Sequence, residues 1–271
     1  MKTKAGDFLS YFLPGRGGNG VVLVHGLTGA PSEMRLVARQ LWRRGYSVYA
    51  PLLAGHGKDA ATLRRTNWRD WLDSLHEAIA AFAPEVDRLY AAGICVGGQL
   101  ALMASDERPD VVRAVGLYSP CFNYDGWAIP RLKVFISRQI SWVSKVPFVG
   151  LLEFDETPSR GIKDERARRL VAGASAEGIL ERFPASSLME MHRLGQEMRR
   201  RLPFIRTPTL IVHSREDDLA SPDHARYIHA HIGGPSELRL IDDSYHMIHV
   251  DRQYRDVAAL TASFFETSHA A

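Results

Sequence analysis

Cysteine is nearly absent: Cys95 and Cys121 are the only two in 271 residues. That scarcity excludes a disulfide framework and fits a reducing compartment, where thiols stay free. No apolar run reaches the roughly 20 residues needed to cross a bilayer. The opening stretch "MKTKAGDFLSYFLPGRGG" carries two lysines, but Ser10 and Pro14 interrupt its apolar part, unlike a secretory signal. These absences predict a cytoplasmic chain with no stable membrane insertion. An excess of either charge is lacking too, with 34 Lys and Arg against 31 Asp and Glu. A net charge of +3 gives nucleic acid no footing, and the basic runs "LWRRG" (41–45) and "EMRRRL" (197–202) read as solvated helix ends. Zinc-spaced Cys/His clusters and phosphate-cradling glycine loops are missing, so neither metal nor cofactor is expected. Internal repeats and low-complexity linkers are missing as well.

What is present is a regular alternation of strand and helix patterns. The 45% hydrophobic and 24% charged residues are ordinary for a globular chain with a large core. "GVVLVHG" (20–26) is almost wholly apolar, as a strand buried on both faces must be. "PSEMRLVARQLWRRG" (31–45) follows as a helix, with Met34, Leu36, Val37, Leu41 and Trp42 at helical spacing and Gly45 as its stop. "YSVYAP" (46–51) predicts a strand, and "NWRDWLDSLHEAIAAFA" (67–83) a helix with Trp68, Trp71, Leu72, Leu75 and Ile79 in one stripe. "RLYAAG" (88–93) and "VVRAVGLYSP" (111–120) predict strands flanking a helix from Val96 to about Ala104. Strands return at 207–214 and 237–242, with helices around 222–232 and 251–266. This grammar predicts a parallel sheet with helices on both faces. The rhythm breaks after Pro120, where mostly helical text runs to about Pro203. We expect residues 1–120 and 204–271 to form the α/β core and 121–203 a small helical cap.

Three strand ends carry chemistry. Gly93-Ile94-Cys95-Val96-Gly97-Gly98 closes a strand and opens a helix. Small residues two before and two after Cys95 permit a strained corner that lifts its side chain above the sheet edge. The helix N-terminus there favours an anion and would lower a thiol's pKa. "LVHGLTG" (23–29) ends the first strong strand beside that corner, so the Leu27 and Val96 N–H groups are candidate oxyanion donors. "HSREDDLASP" (213–222) sets Asp217 and Asp218 beyond one strand, and "IDDSYHMIHV" (241–250) sets His246 beyond the next. The order nucleophile, acid, histidine matches the hydrolase triad on a parallel sheet.

With those motifs in place, the chain resembles the α/β-hydrolases of the carboxylesterase and monoacylglycerol-lipase group. Residues 21–57, with a His-Gly-x-Thr-Gly loop and a Pro-x-x-x-Gly-His-Gly segment, are similar to that group's opening. So are "NWRDWLDSL" (67–75), the "GICVGG" elbow, "TPTLIVHSREDDLASP" (207–222) and "DSYHMIHVD" (243–251). The resemblance implies Asp217 rather than Asp218 as the acid, and His246 rather than His249 as the base. It implies a small acyl ester as substrate and a covalent acyl-enzyme. The departure is Cys95, where the group has serine. Dienelactone hydrolases and polyhydroxyalkanoate synthases carry cysteine elbows, but match the rest of the chain less well. An acyl chain would sit under the cap, against Phe135, Ile136, Trp142 and Val146, while "KDERARR" (163–169) reads as a solvated helix face. Two alternatives stand beside ester hydrolysis. One is an acyltransferase or thioesterase using the same cysteine. The other is a catalytically impaired, ligand-binding hydrolase, including one in which serine was replaced by design.

Overall fold

The computed structural model describes residues 9–138, 149–155, 160–172 and 177–268. The chain opens with β1 (Tyr11–Leu13), β2 (Asn19–Val24), α1 (Arg35–Arg43), β3 (Ser47–Ala50), α2 (Ala60–Arg64) and α3 (Trp68–Phe82). Next come β4 (Arg88–Ile94), α4 (Val96–Glu107) and β5 (Val112–Tyr118). Beyond them lie α5 (Arg131–Arg138), β6 (Glu153–Asp155), α6 (Glu165–Ala172), β7 (Arg182–Pro184) and α7 (Ala185–Arg201). The chain closes with β8 (Thr209–Ser214), α8 (Asp223–His231), β9 (Ser236–Ile241) and α9 (Tyr254–Thr267).

Seven strands form one sheet in the order β1-β3-β2-β4-β5-β8-β9. Only β1 is antiparallel to its neighbour; all other pairings are parallel. Val21 to Val24 are wholly buried, which is why the sequence there carries no polar alternation. Helices α1 and α9 pack on each other, while α3, α4 and α7 form a second flanking group. Helix α3 starts on a capping box in which Arg69 N donates to Asn67 Oδ1 at 2.9 Å and Asn67 N donates to Asp70 Oδ2 at 2.8 Å. All five residues of its predicted stripe are buried. Each such large side chain contributes on the order of 2 kcal/mol of burial free energy.

The differences from the sequence reading are local. Strand β1 was not expected, because three residues with one edge partner leave no period to detect. Trp42 is 44% exposed rather than in the α1 stripe, and its indole N–H donates to Pro14 O at 2.8 Å. The run at 197–202 is not merely solvated. Arg199 stacks over Phe122 and Tyr227, and Arg201 pairs with Glu107 and Glu197. The helical segment after β5 also divides in two. Its last helix, α7, packs on α3 and α4 and sends Met191, Leu194 and Met198 into the main core. Its middle holds the small antiparallel β6–β7 pair, whose strands are joined through α6.

Candidate active site

Cys95 sits at the corner between β4 and α4 with φ 54° and ψ −117°. A non-glycine residue held there stores about 1–3 kcal/mol of backbone strain. The surroundings explain why it persists. A Cβ on Gly97 would lie 2.3 Å from His25 O and 2.4 Å from Val24 O, and one on Gly93 would lie 2.5 Å from the Gly97 carbonyl carbon. Backbone from two strands and a helix therefore meets where no side chain fits. Cys95 N also donates to Tyr118 O at 2.9 Å, tying the corner to β5.

His246 and Asp217 reach this corner from the loops after β9 and β8. His246 lies beside Cys95, and the two line one cavity. On its other side His246 Nδ1 donates to Asp217 Oδ2 at 2.8 Å. Asp217 is fully engaged: its Oδ1 accepts from Leu219 N at 2.9 Å and Ala220 N at 2.8 Å. His213 Nε2 approaches the same Oδ2 at 3.1 Å and Ala220 O at 3.2 Å. Both partners only accept, so that nitrogen carries the proton. Burial alone would raise the Asp217 pKa, but His246 and His213 hold it well below the carboxylate range.

The electrostatics favour a charged pair. A hydrogen bond from Cys121, opposed by burial and joined by the hydrogen bond and charge of His246, brings the Cys95 thiol down to about 5. Burial would push His246 down, but the Asp217 charge and the bonds to Asp217 and Cys95 carry it well above the ordinary histidine value. Thiolate and imidazolium are thus the matched forms. Asp218, the other acid, is raised by burial and by Asp217, and accepts from the His246 backbone N–H at 3.4 Å. Burial brings His249 down to about 3, and its ring makes no hydrogen bond among the described residues.

A cavity of about 70 Å³ opens beside Cys95 and His246, bordered by Leu27, Tyr124, Ile179, Leu219 and Met247. The loop after β2 is braced from several sides. Glu33 Oε1 accepts from Gly26 N at 2.6 Å, and His56 Nε2 donates to Leu27 O at 2.6 Å. His25 Nε2 accepts from Leu53 N at 3.1 Å, which leaves its Nδ1 proton for Gly26 O at 2.9 Å. Burial brings His25 down to about 3 and His56 to about 4, so both rings stay neutral.

Cys95, Asp217, His246, Leu27 and Val96 thus gather at one sheet edge. Of the expected acyl-contact residues, Phe135 alone has a described side chain. Phe135 is 62% exposed on α5 and does not border the cavity, Ile136 lies on the same helix, and Trp142 and Val146 lie outside the described residues. Sequence reasoning missed Glu33, His213 and Cys121. Glu33 resembled an ordinary acid in a first helical turn. A polar residue ending the buried strand "TLIVHS" did signal His213, and Cys121, just past the end of β5, signalled a second thiol at the same edge.

Known proteins share this architecture. The family model Hydrolase_4 (serine aminopeptidase, S33) matches residues 19–253. A thermostable monoacylglycerol lipase of Bacillus sp. (strain H-257) is 26% identical over 247 residues, covering 91% of this chain and 90% of that one. A carboxylesterase of Bacillus subtilis (strain 168) is 23% identical over 239 residues, covering 88% of each. A solved structure from work on the metagenome-derived lipolytic enzymes LipS and LipT superposes with a TM-score of 0.80 at 23% identity, covering 97% of this chain and 98% of that one. The fold is that of the α/β-hydrolases.

Proposed function

The chain belongs to the Hydrolase_4 family, and from that premise we propose that it is a carboxylic ester hydrolase of the monoacylglycerol-lipase and esterase kind, acting through Cys95, His246 and Asp217. The observation that carries this reading is the chain of neighbours Cys95, His246 and Asp217, the last two bonded at 2.8 Å and the first two lining one cavity, with Cys95 at a strained corner. Such a chain supports nucleophilic catalysis.

The Cys95 thiolate attacks the ester carbonyl carbon, and the carbonyl π pair moves onto oxygen. The N–H groups of Leu27 and Val96 hold that oxyanion; each donor of this kind contributes about 3–4 kcal/mol to the transition state. His246 gives its proton to the departing alcohol oxygen, leaving a thioester on Cys95. Water then attacks the thioester, passing a proton to His246, and collapse releases the carboxylic acid and the thiolate. Asp217, held by two N–H groups and two imidazoles, keeps the His246 ring oriented throughout.

The segment 121–203 contributes a cap over the substrate, and Tyr124, Ile179 and Met247 are among the apolar side chains bordering the cavity that Cys95 lines. Two reduced thiols side by side fit a cytoplasmic setting. A thiolate this acidic also suits acyl transfer to a thiol or amine, because it leaves readily from its thioester. Adding such acceptors to a turnover assay and following acyl products separates transfer from hydrolysis. The primary test is Cys95→Ala, which removes turnover of p-nitrophenyl esters; full turnover in that variant overturns the assignment.

A further inference from the structure

Asp217 sits in the loop between β8 and α8, yet much of what holds that loop comes from the segment that follows β5. Residues 125–128 of that segment take the loop's carbonyls in turn. Trp127 Nε1 donates to Glu216 O at 3.0 Å, and Ala128 N to Asp218 O at 3.1 Å. Asp125 N and Gly126 N both donate to Leu219 O, at 3.0 and 2.9 Å. Asp125 Oδ1 accepts from Ser221 N at 2.9 Å, which fastens the far side of the loop. The approach is so close that a Cβ on Gly126 would lie 2.4 Å from the Asp218 carbonyl carbon and oxygen.

These bonds bear on the acid itself through peptide geometry. Asp217 Oδ1 is held by two amides, Leu219 N at 2.9 Å and Ala220 N at 2.8 Å. A trans peptide is planar, so its C=O and its N–H point in opposite directions. Leu219 N–H shares a peptide with the Asp218 carbonyl, and Ala220 N–H shares one with the Leu219 carbonyl. Both carbonyls are gripped by residues 125–128, and that grip turns both N–H groups toward Asp217. Asp125 is fixed in its turn. His224 Nδ1 accepts from Phe122 N at 3.3 Å, so the ring proton is on Nε2, which donates to Asp125 Oδ2 at 3.1 Å.

We propose that residues 125–128 are the positioning element for Asp217, with Asp125 as its anchoring side chain. The Asp125 carboxylate fixes the loop at Ser221, and the amides beside it set the two N–H groups that hold the acid. Asp217 Oδ2 in turn accepts from His246 Nδ1 at 2.8 Å, so a displacement at Asp125 reaches the imidazole without touching it. Turnover neither makes nor breaks any of these contacts. The proposal rests on reading Asp217 as the acid of the triad, yet one of its two readouts does not depend on turnover.

The test compares the parent chain with Asp125→Ala and Asp125→Asn by two readouts. One is steady-state turnover of p-nitrophenyl esters. The other is the downfield proton resonance of the His246 N–H shared with Asp217, assigned by its loss in Asp217→Asn. In Asp125→Ala kcat falls on the order of 10²-fold, the cost of a misplacement of about 1 Å, while KM changes little. The resonance broadens or vanishes in the same variant. Asp125→Asn keeps an acceptor for Ser221 N and recovers most of both. If alanine unfolds the chain, Trp127→Phe removes the indole donor to Glu216 O, keeps a ring against Tyr245, and gives a smaller loss in the same direction. Parent kcat with an unaltered resonance in folded Asp125→Ala, or in Trp127→Phe where alanine does not fold, overturns the proposal. Equal losses in the alanine and asparagine variants overturn it as well. Retained ester turnover in Cys95→Ala would instead overturn the nucleophile assignment and leave the resonance result standing, so the two failures are told apart.

Discussion

A thiolate paired with an imidazolium meets pH differently from a hydroxyl beside a neutral imidazole. Cys95 has its pKa brought down to about 5, chiefly by the Cys121 hydrogen bond and His246 against the opposing effect of burial. The active ion pair is therefore lost as pH falls through about 5. It is lost again at high pH when His246, raised above its ordinary value, gives up its proton. We expect kcat/KM for p-nitrophenyl esters to follow a bell with its acid limb near 5. In Cys95→Ser the base must be neutral imidazole, so that variant loses the acid-side activity and rises only through the His246 titration. Asp217→Asn keeps the shape but removes the acceptor that orients His246; kcat should fall on the order of 10³–10⁴-fold with little change in KM. Gly97→Ala tests the corner itself. Its methyl would press on the carbonyl oxygens of Val24 and His25, and overpacking of this kind costs about 1–3 kcal/mol in urea denaturation.

Between elements, the histidine loop is fastened by one buried carboxylate. Asp251 accepts from Lys163 N at 2.8 Å and Asp164 N at 3.0 Å, both from the stretch leading into α6. It also accepts from Tyr245 N at 2.8 Å and Arg252 N at 2.9 Å, within the loop that carries His246. Met247 N donates to Gly161 O at 2.7 Å, closing the same seam. Asp251→Ala strands four donors, and buried unpaired N–H groups cost about 1–3 kcal/mol each. We expect at least about 3 kcal/mol of lost stability by urea denaturation, with kcat reduced more than KM is raised. No sequence period announces such a clamp, since its partners lie 88 positions apart. Local signals, by contrast, were legible. The unbroken apolar run of β2 marked a doubly covered strand, and Asn67 with Asp70 marked the start of α3. The corner at Cys95 and the order of Asp217 and His246 were legible for the same reason: each lies at or a few residues beyond a strand end. The exposure of Phe135 was not, because a large apolar residue reads alike whether it faces a cavity or solvent.

Across the whole molecule, three buried histidines set a pH limit separate from the chemistry. Burial brings His25 and His249 down to about 3 and His56 to about 4. Their folded values lie below the unfolded one, so the unfolded chain binds more protons once pH drops below about 6.5. Stability is therefore full above that point and declines as pH falls toward 4. At pH 5 each ring would contribute roughly 2 kcal/mol of loss, an upper figure that relaxation reduces. Urea denaturation at pH 7 and pH 5 should show the folded state weakened by several kcal/mol, and a histidine-to-glutamine change at position 249 should lessen that difference. The corner between β4 and α4 carries a last consequence, for heritable change. Gly93 and Gly97 have no room to vary, because backbone from three elements fills the space around them. The side chain at 95 borders open cavity instead. One codon can therefore exchange the reacting element, oxygen for sulfur or back, with no repacking of its frame. The scaffold is rigid in its silent letters and freely editable in the one proposed to react.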